Sequence, residues 1–205
     1  MRTTLAFIAA VATATVLVAG ATAAKPAVTI SASRPTVVFG GSVTLSGKVS
    51  SNNPGESVQV MADAYPATTF SALSPISTTA GGNWTSTVTP TVQTSYEAHW
   101  KGSTSRTVTV KVRPLITLTI VNAANGTFST KATAARAFTG KSVNVQRLTS
   151  FGALTMKKVK LDSNSSATFH VRLHKGRNRL RVVMPTAQAA PGYVIGTSKV
   201  VRVTR

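Results

Sequence analysis

The chain of 205 residues carries 23 Lys+Arg against 4 Asp+Glu, a formal net charge of +19, and no cysteine. That composition excludes disulfides, thiolate metal sites and a cysteine nucleophile, and four acids leave little room for the paired carboxylates of hydrolytic chemistry. So large a basic excess favours polyanionic partners and speaks to association, not to fold; solubility is the plainer use of the same charge.

Met1 to Ala24 reads as an export signal. Arg2 supplies the positive n-region, Leu5 to Val18 the apolar h-region, and Ala21-Thr22-Ala23 a small-residue cleavage site. No charge stands between Arg2 and Lys25, so an uncleaved anchor competes, roughly 20 apolar residues being enough to span a bilayer. Cleavage is the reading adopted, with an extracellular or cell-surface location; membrane contact is expected only if the leader is retained.

The rest of the chain alternates. Strands are predicted near 27–32, 42–50, 56–63, 70–79, 83–89, 95–101 and 106–112, then near 115–121, 127–135, 141–148, 153–161, 167–173, 178–184 and 198–204. Glycine, proline or asparagine separates most of them, as in Gly40-Gly41 and Asn52-Asn53-Pro54-Gly55. No segment sustains a helical period. The two sets also repeat one another. Gly55-Glu56-Ser57-Val58-Gln59-Val60 recurs 85 positions later as Gly140-Lys141-Ser142-Val143-Asn144-Val145, and at that offset Gly41 meets Gly126 and Trp84 meets Phe169. Ser105 to Val110 matches Ser198 to Val203 at a larger offset, so the second copy holds an insertion before its last strand. The division expected is a signal peptide over 1–24, one domain over 25–113 and a second over 114–205, with the boundary at Arg113-Pro114. Seven short strands at this spacing predict an all-β antiparallel sandwich in each copy.

Both copies resemble the immunoglobulin-like or fibronectin-III-like repeats of bacterial secreted and surface proteins. The opening VTISASRPTVVFGGSVTLSGKVS, the G-E-S-V-Q-V strand and the pair G-N-W and S-Y-E-A-H-W carry the resemblance, which extends over 25–205. It implies two tandem seven-stranded immunoglobulin-like sandwiches. It implies little about function, because that family hosts adhesins, spacers and accessory modules alike. It also implies a tyrosine-corner hydrogen bond at Tyr96, absent from the second copy where Leu180 stands instead.

Charge is shared unequally. Residues 25–113 hold seven Lys+Arg and three acids, a net +4; residues 114–205 hold fifteen Lys+Arg and Asp162 alone, a net +14. Catalysis finds no support: Asp63 and Glu56 read as solvated, Glu97 and His99 as a surface pair, and neither G-x-S-x-G nor H-E-x-x-H occurs. No catalytic residue, cofactor or metal is assigned; His170 and His174 would lie about 13 Å apart on one strand, too far to share an ion. The basic residues are the candidates. In Phe169 to Met184 apolar and cationic residues alternate, but the fifth and sixth strands of such a sandwich belong to opposite sheets, which divides the charge. The predicted binding face is therefore Arg179, Arg181 and Arg202, joined by Lys158 and Lys160, with Lys175 and Arg177 at the corner between sheets and Tyr193 as a contact in the loop Pro185 to Gly196. Without a recognition helix or an aromatic platform, sequence-specific nucleic-acid binding is not expected. The function expected is non-catalytic docking on anionic cell-wall or extracellular polymer; the rival is an adhesive module recognising a surface protein through loops or a strand edge.

Overall fold

Period-two alternation decides the architecture. In Thr94–Trp100, Thr94, Tyr96, Ala98 and Trp100 are buried while Ser95, Glu97 and His99 are half-exposed, one face turned to a core. The computed structural model describes residues 26–205, and the predicted leader over 1–24 lies outside the described residues.

The first ten strands are β1 (Ser31–Ala32), β2 (Thr36–Val38), β3 (Val43–Lys48), β4 (Ser57–Ala64), β5 (Ser71–Ala72), β6 (Ile76–Ser77), β7 (Asn83–Val88), β8 (Thr94–Trp100), β9 (Ser103–Thr104) and β10 (Val108–Arg113). They form a sheet ordered β1-β3-β7 and a second ordered β2-β10-β8-β4-β5, with β6 on β4 and β9 on β8. Eight strands follow: β11 (Leu115–Asn122), β12 (Thr127–Thr133), β13 (Ser142–Thr149), β14 (Gly152–Lys160), β15 (Ser166–His170), β16 (Arg177–Met184), β17 (Gly196–Thr197) and β18 (Val201–Thr204). A one-turn helix, α1 (Thr186–Ala189), precedes β17. Their sheets are β11-β12-β15 and β14-β13-β16-β17, with β18 on β16. Among the described residues no strand pairs across Pro114. The chain is all-β, with two sheets on either side of that proline.

Two of the differences from expectation trace to proline. The strand expected over 70–79 is two fragments, β5 and β6, broken at Pro75, which has no N–H to give a ladder. Past Pro35 the chain leaves β3 and enters the other sheet, where β2 pairs parallel with β10, Lys111 beside Thr36. Period two is blind to such a crossing.

The repeat is real at its end and misleading in its middle. Ser105 Oγ accepts from the Ala98 N–H at 2.9 Å and donates to the Arg106 carbonyl at 2.9 Å. Ser198 Oγ does the same with the Val182 N–H at 2.9 Å and the Lys199 carbonyl at 2.8 Å. The loop between Met184 and Gly196 stands where Lys101-Gly102 makes a two-residue turn, which accounts for the larger offset. Trp84 and Phe169, in contrast, are not equivalent in register. Trp84 stands opposite Gly47, whereas Phe169 stands opposite Phe128, the strand position matching Val43. At the position matching Gly47, Ala132 donates its N–H to the Ser165 carbonyl. Ala132 and Ser165 are four residues closer in sequence than Gly47 and Trp84, and a fixed offset reads across that deletion.

The buried residues of both halves form one apolar cluster. Leu45, Val60, Trp84 and Val110 of the first ten strands and Phe128, Val145, Leu180 and Met184 of the last eight are all at most 1% exposed. Tyr96 is buried, but no backbone carbonyl accepts its hydroxyl, so the tyrosine corner implied by the resemblance is not formed. Its near partner is Thr94, and burial, the larger influence, pushes its phenol above the ordinary value.

Candidate functional site

The sheet β14-β13-β16-β18 turns Val143, Val145, Leu180, Val182 and Val203 to the core and presents the alternate residues outward. Because the side-chain period is two, a cation at every second position puts all of them on one face. Arg177, Arg179 and Arg181 follow one another along β16; the first two are exposed and Arg181 is half-buried. Arg179 is directly opposite Arg202 of β18, and Arg177 opposite Thr204. Arg181 is opposite Gln146 and donates from Nε to Gln146 Oε1 at 2.9 Å. Lys158 and Lys160 of β14 stand opposite Asn144 and Ser142. With strands about 4.8 Å apart, the β14 lysines lie about 10 Å from the β16 arginines, across β13. Arg177, Arg179 and Arg202 line one open cleft of about 430 Å³ with Leu148.

Register thus brings Arg179, Arg181, Arg202, Lys158 and Lys160 to one outer face. Arg177, expected at the corner, is the first residue of β16 and joins that face, because β16 begins one residue earlier than the alternation suggests. Lys175 does stand in the corner, beside Gly176 (φ +88°). Gln146, which fixes the Arg181 guanidinium, escaped the sequence reading; its place two residues after Asn144 on an outward row is the signal that could have found it.

Tyr193, read as a contact in the loop Pro185 to Gly196, is 4% exposed and so is not available as a surface contact. Its hydroxyl donates to the Thr91 carbonyl at 2.8 Å and accepts from the Ala135 N–H at 3.1 Å. Its ring meets Phe138 edge-on, centroids 5.7 Å apart, and the Arg136 guanidinium lies 5.7 Å from its centroid. Its loop is tied across the chain, Gln93 donating to the Gly192 carbonyl at 2.9 Å and Val194 to the Val112 carbonyl at 3.0 Å. The inserted loop is a clasp on the first ten strands.

The acids are also less solvated than expected. Glu56 accepts from the Trp100 indole N–H at 2.6 Å and pairs with Lys101 Nζ at 2.9 Å. Asp63 is half-buried on β4, with Oδ1 unpartnered. Glu97 takes the Thr107 hydroxyl at 2.5 Å and faces His99 at 3.6 Å, the surface pair expected. The Lys101 ammonium does most to hold the Glu56 carboxyl below its ordinary 4.5; burial works against it and the Trp100 N–H adds to it. A depressed carboxylate pKa contributes stability that is complete above the unfolded value and is lost as pH falls through the folded one. Glu56→Gln is therefore expected to melt below the parent at pH 7, and the gap between the two melting temperatures is expected to close as pH falls from 4.5 through the folded pKa. A gap that persists in acid would refute the charge contribution.

Among the described residues, no cluster of three His, Asp or Glu could hold a metal ion, and no helix is long and apolar enough to cross a membrane. Fold and site together define an all-β protein of paired sheets with one strongly basic sheet face. No family model matches the chain, and no curated protein matches it. Among solved structures it is similar to the tetra-tandem repeat in the extending region of a large adhesion protein, at 12% identity over 87% of this chain with a TM-score of 0.37. The chain spans about half of that structure, 49%. It is also similar to bovine butyrophilin, at 13% identity over 89% of this chain and 99% of the other, with a TM-score of 0.40.

Proposed function

We propose that this is an exported, non-catalytic binding protein made of two tandem immunoglobulin-like sandwiches, 25–113 and 114–205. The second docks electrostatically on an anionic cell-surface or extracellular polymer. The observation that carries the reading is Arg179 directly opposite Arg202 on a face that also holds Arg177, Arg181, Lys158 and Lys160. Like charges paired across strands cost stability, roughly 0.2–1 kcal/mol, and no ion pair engages any of these cations among the described residues. A polymer with regularly spaced anionic groups relieves that repulsion at several points at once. Arginine's planar fork suits bidentate contact to phosphate, sulfate or carboxylate.

The test is binding of the chain to anionic wall polymer as salt is raised. Affinity is expected to fall steeply with ionic strength. Reversing the charge of Arg179, Arg181 and Arg202 to glutamate together is expected to weaken binding at least tenfold while leaving the melting temperature nearly unchanged. Salt-insensitive binding, or capture of a protein partner untouched by the triple reversal, would overturn the docking face in favour of adhesion through loops or a strand edge.

A further inference from the structure

A second cationic feature lies away from the outer sheet face. Arg147 follows Val143 and Val145 on the inward row of β13, so alternation carries a guanidinium into the apolar layer, where it is 9% exposed. One of its donors, Nη2, reaches the Arg172 carbonyl at 2.9 Å. Its Nε–H is buried and has no partner. Desolvation pulls this guanidinium below its ordinary pKa. A withdrawn guanidinium with an open donor is costly unless something anionic meets it.

The surroundings are arranged to do that. Arg147 lines a cleft of about 630 Å³ together with Met156, Arg172, His174, Lys175 and Arg205. Met156 is there because of a bulge. Val145 pairs with Lys157 and Gln146 with Thr155, leaving Met156 unpaired, and a bulge re-aims a side chain. Arg205 Nη1 is anchored on the Leu173 carbonyl at 3.2 Å, so one donor of each arginine is spent on orientation and the others stay free. The corner that carries His174 and Lys175 is held rigidly. Asn178, 2% exposed, accepts from the His174 N–H at 3.0 Å and donates to the carbonyls of His174 and Gly176 at 2.8 and 3.0 Å. Gly176 and Arg205 exchange backbone hydrogen bonds at 2.9 and 3.2 Å. No acidic side chain lines the cleft. Asp162, the one acid in residues 114–205, spends Oδ1 on the N–H groups of Asn164 and Ser166 in its own turn.

We propose that this cleft binds a single compact oxyanion group (phosphate, sulfate or carboxylate), with Arg147 and Arg205 as its principal donors and Lys175 supplying further charge. The site goes beyond the outer sheet face. That face offers a row of cations for many weak contacts; the cleft gathers Arg147, Arg205 and Lys175 around one space, and so predicts saturation.

The experiment is calorimetric titration of the full chain with sodium phosphate, sulfate and acetate, each against chloride at constant ionic strength. Saturable 1:1 binding of at least one oxyanion is expected, and the arm that binds identifies the source as a phosphorylated, sulfated or carboxylated group. Arg147→Met keeps the volume and removes a buried charge, so the fold is expected to survive while oxyanion affinity falls at least tenfold. Arg205→Gln, at an exposed position, is expected to weaken binding without touching the core. Arg34→Gln removes the same charge from an exposed site in the first ten strands and is expected to leave affinity unchanged. Oxyanions that bind no better than chloride, or binding untouched in both Arg147→Met and Arg205→Gln, would overturn the site. Oxyanion binding that persists in a chain with no affinity for anionic polymer would sink the sheet-face reading and leave this one standing.

Discussion

Tyr193→Ala is expected to cost about 3–5 kcal/mol of stability, the range for deleting a buried aromatic ring. The ring is 4% exposed and packs edge-on against Phe138. Its hydroxyl joins two segments far apart in sequence, Thr91 and Ala135. Tyr193→Phe separates the contributions: the ring stays, while the Thr91 carbonyl and the Ala135 N–H each lose a partner, at about 1–3 kcal/mol. Chemical denaturation of the three proteins checks the order, with Tyr193→Phe between the parent and Tyr193→Ala. Because the clasp bridges the first ten strands and the last eight, its loss is also expected to broaden a single unfolding transition or split it in two. Equal midpoints for all three proteins would show that the loop merely rests on the surface.

That residue also marks a boundary of what the sequence discloses. Alternation exposed the sheets and the outward pair Arg179 and Arg181, because strand periodicity is local and needs no knowledge of the partner strand; Arg177, read as a corner residue, joined that row only in the structure. It also placed Lys158, Lys160 and Arg202 on outward rows. That these rows share one face with Arg179 is settled by register, β13 against β16 and β16 against β18. An inserted loop was detectable from the changed offset of the Ser105 and Ser198 motifs. Its destination was not, since Thr91 lies 102 residues away. Position in a loop suggested a contact role for Tyr193, and Glu56 read as solvated. Tertiary partners decided otherwise, Thr91 for Tyr193 and Trp100 with Lys101 for Glu56.

Arg147 shows the opposite case, a feature visible in the pattern and easy to pass over. Val143, Val145 and Arg147 share a parity, so one side chain of the core row is cationic. On an edge strand that arrangement is a common guard against pairing, and Lys157 of β14 is such a case, opposite Val145 yet exposed. Because β13 lies between β14 and β16, Arg147 has no open side to escape to. Its charge must be met inside.

Gly47→Ala is the other large effect expected, with a sign opposite to local propensity. Glycine within a strand is worse than alanine by about 0.5–1 kcal/mol, so the sequence alone recommends the change. At Gly47 a Cβ would lie 1.9 Å from the Thr29 carbonyl oxygen and 2.7 Å from the Trp84 ring. The chain at Thr29 is pinned there: its N–H donates to the Lys48 carbonyl at 3.0 Å, and its hydroxyl accepts from the Lys48 N–H at 2.9 Å. Neither neighbour can retreat without breaking the β1–β3 edge or moving a tryptophan that is 1% exposed. The expected loss is about 3 kcal/mol or more, the upper end of overpacking costs. Adding Trp84→Ser copies the last eight strands, where Ser165 meets Ala132. It relieves the ring contact and leaves the Thr29 carbonyl in place, so the double variant is expected to remain below the parent in urea midpoint. A Gly47→Ala protein as stable as the parent would mean that Thr29 moves freely, and that β1 adds little to the sheet it edges.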